Sequence, residues 1–230
     1  MVEVEVHEHD IFPNVFLVKT RGQEKLATRN MVPGTSVYGE ELVQHNDIEY
    51  RIWDPYRSKL AAAIKKGLHE LPIKQGERIL YLGAASGTTV SHVSDIAGNT
   101  GEVYAVEFSQ RSMRDLIEKV CRNRSNVRPI LADARVPAEY RLLVRIVDSV
   151  YSDVAQPNQA NLFSDNADVY LKEKGRAIIV IKSRSIDVTQ RPTDIFKKEI
   201  KILENRGFHV SEVIRLEPFD KDHAMITLGR

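Results

Sequence analysis

The stretch Ile79-Leu80-Tyr81-Leu82-Gly83-Ala84-Ala85-Ser86-Gly87-Thr88-Thr89 decides the fold. An apolar run of strand length enters a loop of small residues and then a segment with helical spacing. Gly83 and Gly87 admit backbone conformations that a side chain would forbid, and the following helix offers unpaired N–H groups at its start. A ligand can therefore approach this backbone closely; the plainer alternative is a tight turn in a parallel sheet. The spacing is Gly-x-x-x-Gly, not the Gly-x-Gly-x-x-Gly of dinucleotide sites, and no Gly-Lys-Ser/Thr follows to take a triphosphate.

Downstream of this loop, strand and helix patterns alternate. Strands are expected over 78–82, 102–107, 127–131, 149–154 and 176–182, with helices over 88–96, 109–122, 137–143, 158–172 and 193–205. This alternation implies an α/β fold, a parallel sheet covered by helices on both faces, with its ligand site at the carboxyl ends of the strands. No helix separates the final strands, 209–216 and 224–228, so they should pair antiparallel. Upstream, Val2, Val4 and Val6 alternate with acidic residues, and Val15-Phe16-Leu17-Val18 precedes a turn at Arg21-Gly22. Pro33-Gly34 marks another turn, and 38–50 offers further short strands before Trp53-Asp54-Pro55. A small N-terminal antiparallel β domain over 1–55 is expected, followed by an α/β domain over 56–230. Ser58 caps the first helix of the second domain, in which Leu60, Ala61, Ile64 and Leu68 fall at helical spacing as far as about His69.

With 230 residues, 42% of them hydrophobic, the chain can bury one substantial core and a small accessory domain. Its 33 Lys+Arg face 32 Asp+Glu, so the field of the whole chain would not hold a polyanion. A nucleic-acid partner must then meet a local patch or be delivered by another protein; Lys65-Lys66 and Arg111 with Arg114 read more plainly as solvated helix faces. No basic leader with an apolar run is present, nor any run near the ~20 apolar residues of a membrane span, so a cytoplasmic location is expected. Cys121 is alone, which allows neither an internal disulfide nor a cysteine-pair zinc site, and it reads as a helix residue. His7 and His9 alternate without further ligands nearby and read as strand-face residues, leaving no metal site expected.

Two strand ends carry acids. Glu107 lies about twenty residues past the glycine loop, where a carboxylate can accept both ribose hydroxyl protons of an adenosine; otherwise it is an ordinary exposed acid. Asp133-Ala134 ends the next strand, within reach of an adenine edge. Together with the loop, these features resemble the class I S-adenosylmethionine-dependent methyltransferases over roughly residues 58–230. Within that class, Tyr81-Leu-Gly-Ala-Ala-Ser-Gly-Thr-Thr-Val, Tyr151-Ser-Asp-Val-Ala-Gln-Pro-Asn-Gln and Ile181-Lys-Ser-Arg-Ser-Ile-Asp are similar to the fibrillarin family. Arg51-Ile-Trp-Asp-Pro and Lys59-Leu-Ala-Ala-Ala extend the similarity across nearly the whole chain. A glycine- and arginine-rich N-terminal tail is missing, so the chain resembles the archaeal form.

The resemblance implies a Rossmann-like seven-stranded sheet whose last strand is antiparallel, S-adenosyl-L-methionine as cofactor, and 2'-O-methylation of ribose in rRNA and possibly tRNA. It implies a ribonucleoprotein in which C/D-box guide RNA pairs with target RNA, assembled with a Nop-family scaffold protein and a kink-turn-binding ribosomal-type protein. For the cofactor it points to Gly83, Ala85, Gly87, Thr88 and Thr89 in the loop, Glu107 and Phe108 at one strand end, Asp133 and Ala134 at another, and Asp153, Val154, Ala155 and Gln156 beneath the methionine portion. For catalysis it points to Lys59, Asp153, Lys182 and His223; related enzymes often carry Glu at the last position. Lys182 would activate the hydroxyl as a neutral base or as a charged stabiliser, Asp153 would orient it, and Lys59 and His223 would position the nucleotide. An enzyme acting on an exocyclic amine tends to show Asn/Asp-Pro-Pro-Tyr/Phe where this chain reads Asp153-Val-Ala-Gln. A non-catalytic RNA-binding protein of this fold is opposed by the intact Lys59, Asp153 and Lys182.

Overall fold

The computed structural model describes residues 4–230, so Val2 of the expected first strand lies outside the described residues. Residues with positive φ build the hairpins of the N-terminal sheet. Arg21 and Gly22 (φ 50° and 75°) join β2 (Val15–Thr20) to β3 (Gln23–Arg29), and Asn46 and Asp47 (φ 47° and 60°) join β4 (Leu42–His45) to β5 (Ile48–Ile52). Two consecutive positive φ values match the right-handed twist of the flanking strands. With β1 (Val4–Glu8) the five strands pair antiparallel in the order β1-β2-β3-β5-β4. Strand β3 had no readable alternation: it begins with polar Gln23-Glu24-Lys25 and then buries Leu26, Ala27 and Thr28 in succession.

The second sheet comprises β6 (Arg78–Leu82), β7 (Glu102–Glu107), β8 (Val127–Leu131), β9 (Val147–Ser152), β10 (Leu171–Lys182), β11 (His209–Arg215) and β12 (His223–Gly229). Its order is β11-β12-β10-β9-β6-β7-β8. Strand β12 runs antiparallel to both neighbours, as expected for the terminal pair, and it lies inside β11 against β10. One face is covered by α1 (Lys59–Lys65), α2 (Thr88–Ala97) and α3 (Gln110–Lys119), the other by α4 (Gln159–Tyr170) and α6 (Pro192–Asn205), while the single turn α5 (Ser183–Ile186) follows β10. Because β7 and β9 flank β6 on opposite sides, the chain leaves β6 in both directions and a crevice opens at its carboxyl end.

Several element bounds differ from the sequence expectation for local reasons. Helix α1 stops before Lys66, since Gly67 (φ 89°) turns the chain and Leu68 N–H bonds back to the Ala63 carbonyl; Leu68 is buried beyond the turn, not within the helix. The expected helix over 137–143 is a single 3₁₀ turn, Pro137–Tyr140, and Cys121 opens another, Cys121–Asn123, just past α3. Strand β10 begins directly after α4, at Leu171, with its pairing to β9 interrupted between Leu171 and Arg176. His9 lies past the end of β1 and stacks on Phe12 (centroids 4.8 Å apart), so only His7 is a strand residue.

A buried polar network joins the two sheets. Arg51 of β5 is fully buried and donates to Glu40 Oε1 (2.7 Å), Asp95 Oδ2 (2.8 Å) and Ser91 Oγ (2.8 Å), the last two on α2. Arg124 also donates to Asp95. Trp53 stacks on His92 of α2 (4.8 Å, 13°) and belongs to the same apolar cluster as Leu60, Val90 and Met225. The N-terminal sheet and the α1–α3 layer thus share one core.

Candidate active site

The loop after β6 is tied to both neighbouring strands. Gly83 and Ala84 donate to the Val106 carbonyl (both 3.0 Å), and Asp153 N–H donates to the Leu82 carbonyl (2.9 Å). Gly83 (φ 82°) has no room for a side chain, because a Cβ would lie 2.7 Å from the Asp153 carbonyl oxygen. Gly87 (φ 93°) caps α2, and a Cβ there would meet Val120 Cγ2 at 2.5 Å and Leu116 Cδ1 at 2.7 Å. The first glycine lets two loops touch; the second lets α2 lie against α3. A cleft of about 380 Å³ opens at these strand ends, within the range of small-molecule sites.

Gly83, Ala85, Glu107, Phe108, Asp133, Ala134, Asp153, Val154, Ala155 and Gln156 all line this cleft, as does Lys182. Glu107 is only 7% exposed, and its oxygens accept from the main-chain N–H groups of Ala85 (2.9 Å) and Ser109 (2.8 Å). A carboxylate held by amides, not by a basic side chain, keeps lone pairs for hydroxyl donors. Ala85 holds a left-handed φ of 49°, which brings its N–H to Glu107. Phe108 is 68% exposed beside that carboxylate. Asp133 is gripped by Arg135 through Nε (2.8 Å to Oδ2), and this hydrogen bond holds its carboxyl below the usual range. Gly87, Thr88 and Thr89 stand behind the loop, not on the cleft wall; Thr89 is buried, with Oγ1 3.0 Å from Ser58 Oγ. Ser109 and Ser112 line the cleft too, and nothing in their sequence context distinguished them from ordinary helix-start serines.

Period-two alternation brings the four expected catalytic residues together. Tyr151 of β9, Ile178 and Val180 of β10 and Met225 of β12 all pack toward α1, so Asp153, Lys182 and His223 fall on the α1 side of the sheet. Lys59, the first residue of α1, meets them from above. Lys182 Nζ lies 2.8 Å from Asp153 Oδ1 and donates to the Asp153 carbonyl oxygen at 2.8 Å, while Lys59 Nζ is 3.3 Å from Asp153 Oδ2. The ammonium thus meets Asp153 twice, as an ion pair with Oδ1 and as a hydrogen-bond donor to the carbonyl oxygen. Beneath Asp153 the fully buried rings of Tyr81 and Tyr151 stack at 4.5 Å. Burial, and then the Asp153 charge, holds the Tyr81 hydroxyl well above its usual pKa, so it stays protonated and adds no charge.

His223 is held by a residue the sequence did not single out. Its Nδ1 is 2.9 Å from Asp220 Oδ1 and 2.6 Å from the Lys221 carbonyl oxygen, whereas Asp222 pairs with Arg184 (3.0 Å). The acid adjacent to His223 in sequence is therefore turned away from the ring. Asp220 also lies 3.7 Å from Lys59 Nζ. Burial pushes the Asp220 carboxyl up, but the hydrogen bond and charge of His223, with Lys59, outweigh it and hold it below its usual range. The cluster is thus a chain in which two cations and a histidine alternate with two carboxylates.

Against this geometry the fibrillarin family pattern matches residues 6–229. The chain belongs to the fibrillarin family. It is 54% identical over 228 residues to the fibrillarin-like rRNA/tRNA 2'-O-methyltransferase of Aeropyrum pernix, covering 98% of this chain and 97% of that protein. It is 50% identical over 227 residues to the protein of the same name in Methanopyrus kandleri, covering 98% and 97%. Among solved structures, Aeropyrum pernix fibrillarin with natively bound S-adenosyl-L-methionine superposes with a TM-score of 0.92 at 53% identity, covering 99% of this chain and all of that one. The fibrillarin/Nop5p complex contains a chain that matches with a TM-score of 0.87 at 43% identity, covering 96% and 100%. The fibrillarin fold therefore extends through both sheets of this chain.

Proposed function

We propose that this chain is an S-adenosyl-L-methionine-dependent methyltransferase acting on the ribose 2'-hydroxyl of rRNA and tRNA, directed by C/D-box guide RNA within a ribonucleoprotein. The observation that carries the proposal is the convergence of Lys59 and Lys182 on Asp153 at the mouth of the strand-end cleft. The cleft suits the cofactor: Gly83 leaves bare backbone at its floor, and Glu107 offers an amide-held carboxylate to a ribose diol. Ala85, with Thr88 and Thr89 behind it, would support the methionine end together with Asp153–Gln156, and Asp133-Ala134 with Phe108 would hold the adenine. When bound, S-adenosyl-L-methionine supplies a methyl group already activated on a sulfonium.

The protein's residues then have to align a weakly acidic hydroxyl and favour its alkoxide character. Lys182 is the group for that task, as a base or as a fixed cation, and Asp153 aims its ammonium. Lys59 and His223, joined through Asp220, position the nucleotide. In this reading residues 1–55 form an accessory domain and 56–230 the methyltransferase domain. Near-neutral charge fits an enzyme whose RNA is brought by others: a Nop-family scaffold, as in the fibrillarin/Nop5p structure, and a kink-turn-binding ribosomal-type protein. Among the described residues no helix is long and apolar enough to cross a membrane, and a cytoplasmic site of action is part of the proposal. The test is reconstitution with guide RNA, target RNA and both proteins, followed by mapping of the methylated position. Guide-directed 2'-O-methylation is expected, with poor turnover by the chain alone; transfer to a base would overturn the reading.

A further inference from the structure

Strand β10 outruns its neighbour β9. The last register pair between them is Ile179 with Ser152, while β10 continues on its other edge to Lys182, paired with His223 of β12. Both main-chain groups of Lys182 therefore face the space past the end of β9. Gln159 fills that space. Its Oε1 accepts from Lys182 N–H at 2.8 Å and its Nε2 donates to the Lys182 carbonyl oxygen at 3.1 Å. Gln159 is fully buried and is the first residue of α4. A primary amide carries the same donor and acceptor as a peptide unit, so the side chain stands in for the missing strand residue.

The amide is itself anchored. Asn158 makes no side-chain bond at the start of α4; instead Glu199 of α6 reaches across and accepts from Ala160 N–H at 2.9 Å. Burial outweighs that hydrogen bond and pushes the Glu199 carboxyl up. The path runs from α6 through the first turn of α4 to the terminal peptide of β10, and from there to an ammonium that must meet Asp153. The four rotatable bonds of the lysine side chain all start from this peptide, so a fixed backbone sets the point from which the ammonium reaches Asp153.

We propose that Gln159 is a positioning residue for Lys182, holding the last peptide of β10 in place of a β9 residue so that the ammonium is presented to Asp153 and the hydroxyl. The proposal rests on the ribose-methylating role given to Lys182 above. A misplacement of about 1 Å at a reacting group can cost about a hundredfold in rate. Gln159→Met fills nearly the same volume with neither hydrogen bond, and single-turnover transfer in the reconstituted complex is expected to fall ten- to a hundredfold. Cofactor Kd is expected to stay within about threefold, since Gln159 does not itself line the strand-end cleft. Amide exchange by NMR is expected to lose protection at Lys182 while Ile179 and Val180 keep theirs. Gln159→Asn keeps the amide but is one methylene short, and serves in the same assay if the methionine variant does not fold.

A folded variant with near-normal transfer overturns the proposal, as does a rate loss accompanied by general loss of β10 protection and a parallel loss of cofactor affinity. Wild-type protein that methylates a site other than the ribose hydroxyl would bring down the functional reading instead. The exchange measurement distinguishes the two cases, because it reports the clamp on Lys182 whatever the methyl acceptor is.

Discussion

Lys182 and His223 face each other as register partners across the β10–β12 pair, and each is held by a different carboxylate, Asp153 for the lysine and Asp220 for the histidine. Lys59 lies between the two carboxylates, 3.3 Å from one and 3.7 Å from the other. The arrangement separates the tasks. The lysine beside the cleft can act on the reacting oxygen, and the histidine on the next strand can act on the nucleotide around it.

The consequence for Lys182→Ala is a collapse of methyl transfer, by about 10²- to 10⁴-fold, with cofactor affinity nearly intact, as for an interaction made in the transition state. Asp153→Ala should damage transfer and, to a smaller extent, cofactor binding, because Asp153 also lines the cleft. The double variant should transfer little more slowly than Lys182→Ala, since residues that work as one unit are strongly non-additive. Single-turnover transfer with cofactor binding measured separately decides this. Near-normal transfer by Lys182→Ala would leave the fold standing and the mechanism without its central group.

Glu107→Ala should weaken cofactor binding by roughly ten- to a hundredfold, the equivalent of about 1.5–3 kcal/mol for a hydrogen bond to a charged group. Two amides, those of Ala85 and Ser109, lose their acceptor at the same time, so Glu107→Gln is the gentler control. Calorimetric titration with S-adenosyl-L-methionine reads the effect. Unchanged affinity in both variants would remove Glu107 from the site.

Of this candidate site, the glycine loop and Glu107 were legible in local pattern, whereas Asp153 and Lys182 were singled out by the family resemblance and the structure places them at strand ends of the same kind. Glu107 and Lys182 are the last residues of β7 and β10, and Asp153 directly follows β9, each after an apolar core that declares itself. What could not be read depends on long-range pairing. Asp220 and Asp222 look alike in sequence; only the turn into β12 makes the first the partner of His223 and sends the second to Arg184. Gln159 stood inside a recognised motif, yet its task depends on β9 ending earlier than β10 at the carboxyl edge, a fact of sheet geometry. The fully buried Arg51 was likewise visible only as part of a motif, since nothing local says that its partners Glu40 and Asp95 come from a loop and a distant helix.

That buried arginine should be costly to remove. Arg51→Met keeps the volume but leaves Glu40 without a counter-charge and Asp95 with Arg124 alone in the seam between the sheets, where Arg51 helps hold the Glu40 carboxyl below its usual range against burial. Losing one partner of a buried ion pair costs about 3–5 kcal/mol, because the remaining charge is left uncompensated. Urea unfolding of the variant should report a loss of that order. A loss under about 1 kcal/mol, the scale of a surface pair, would mean that Arg124 alone satisfies Asp95.

His92 should make the protein sensitive to mild acid. Its ring is fully buried, with Nδ1 2.8 Å from Thr28 Oγ1 and Nε2 2.7 Å from the Tyr38 hydroxyl. Thr28 gives its own hydroxyl proton to Asp95 Oδ2 (2.8 Å), so it accepts from Nδ1–H, while the Tyr38 hydroxyl faces both Nε2 and the Ile52 carbonyl oxygen (3.2 Å) with one proton to give. A neutral ring takes the Tyr38 proton at Nε2, whereas a protonated one would turn that proton to the Ile52 carbonyl, so the choice falls to the surroundings of the ring. Burial first, then the charges of Arg51 and Arg124, holds the ring well below its ordinary pKa of 6.5. The native state therefore refuses a proton that the unfolded chain accepts below about pH 6.5, so His92's contribution is complete above that pH and is lost as pH falls beneath it. One proton of difference corresponds to about 1.4 kcal/mol per pH unit at its limit. Urea unfolding at a series of pH values from about 7.5 down to 5 should show stability falling more steeply in the wild type than in His92→Asn, with the difference confined to the acid side. The other histidines are common to both proteins and cancel in that comparison. Parallel slopes in the two proteins would show that His92 carries the same charge folded and unfolded, contrary to its place in the seam.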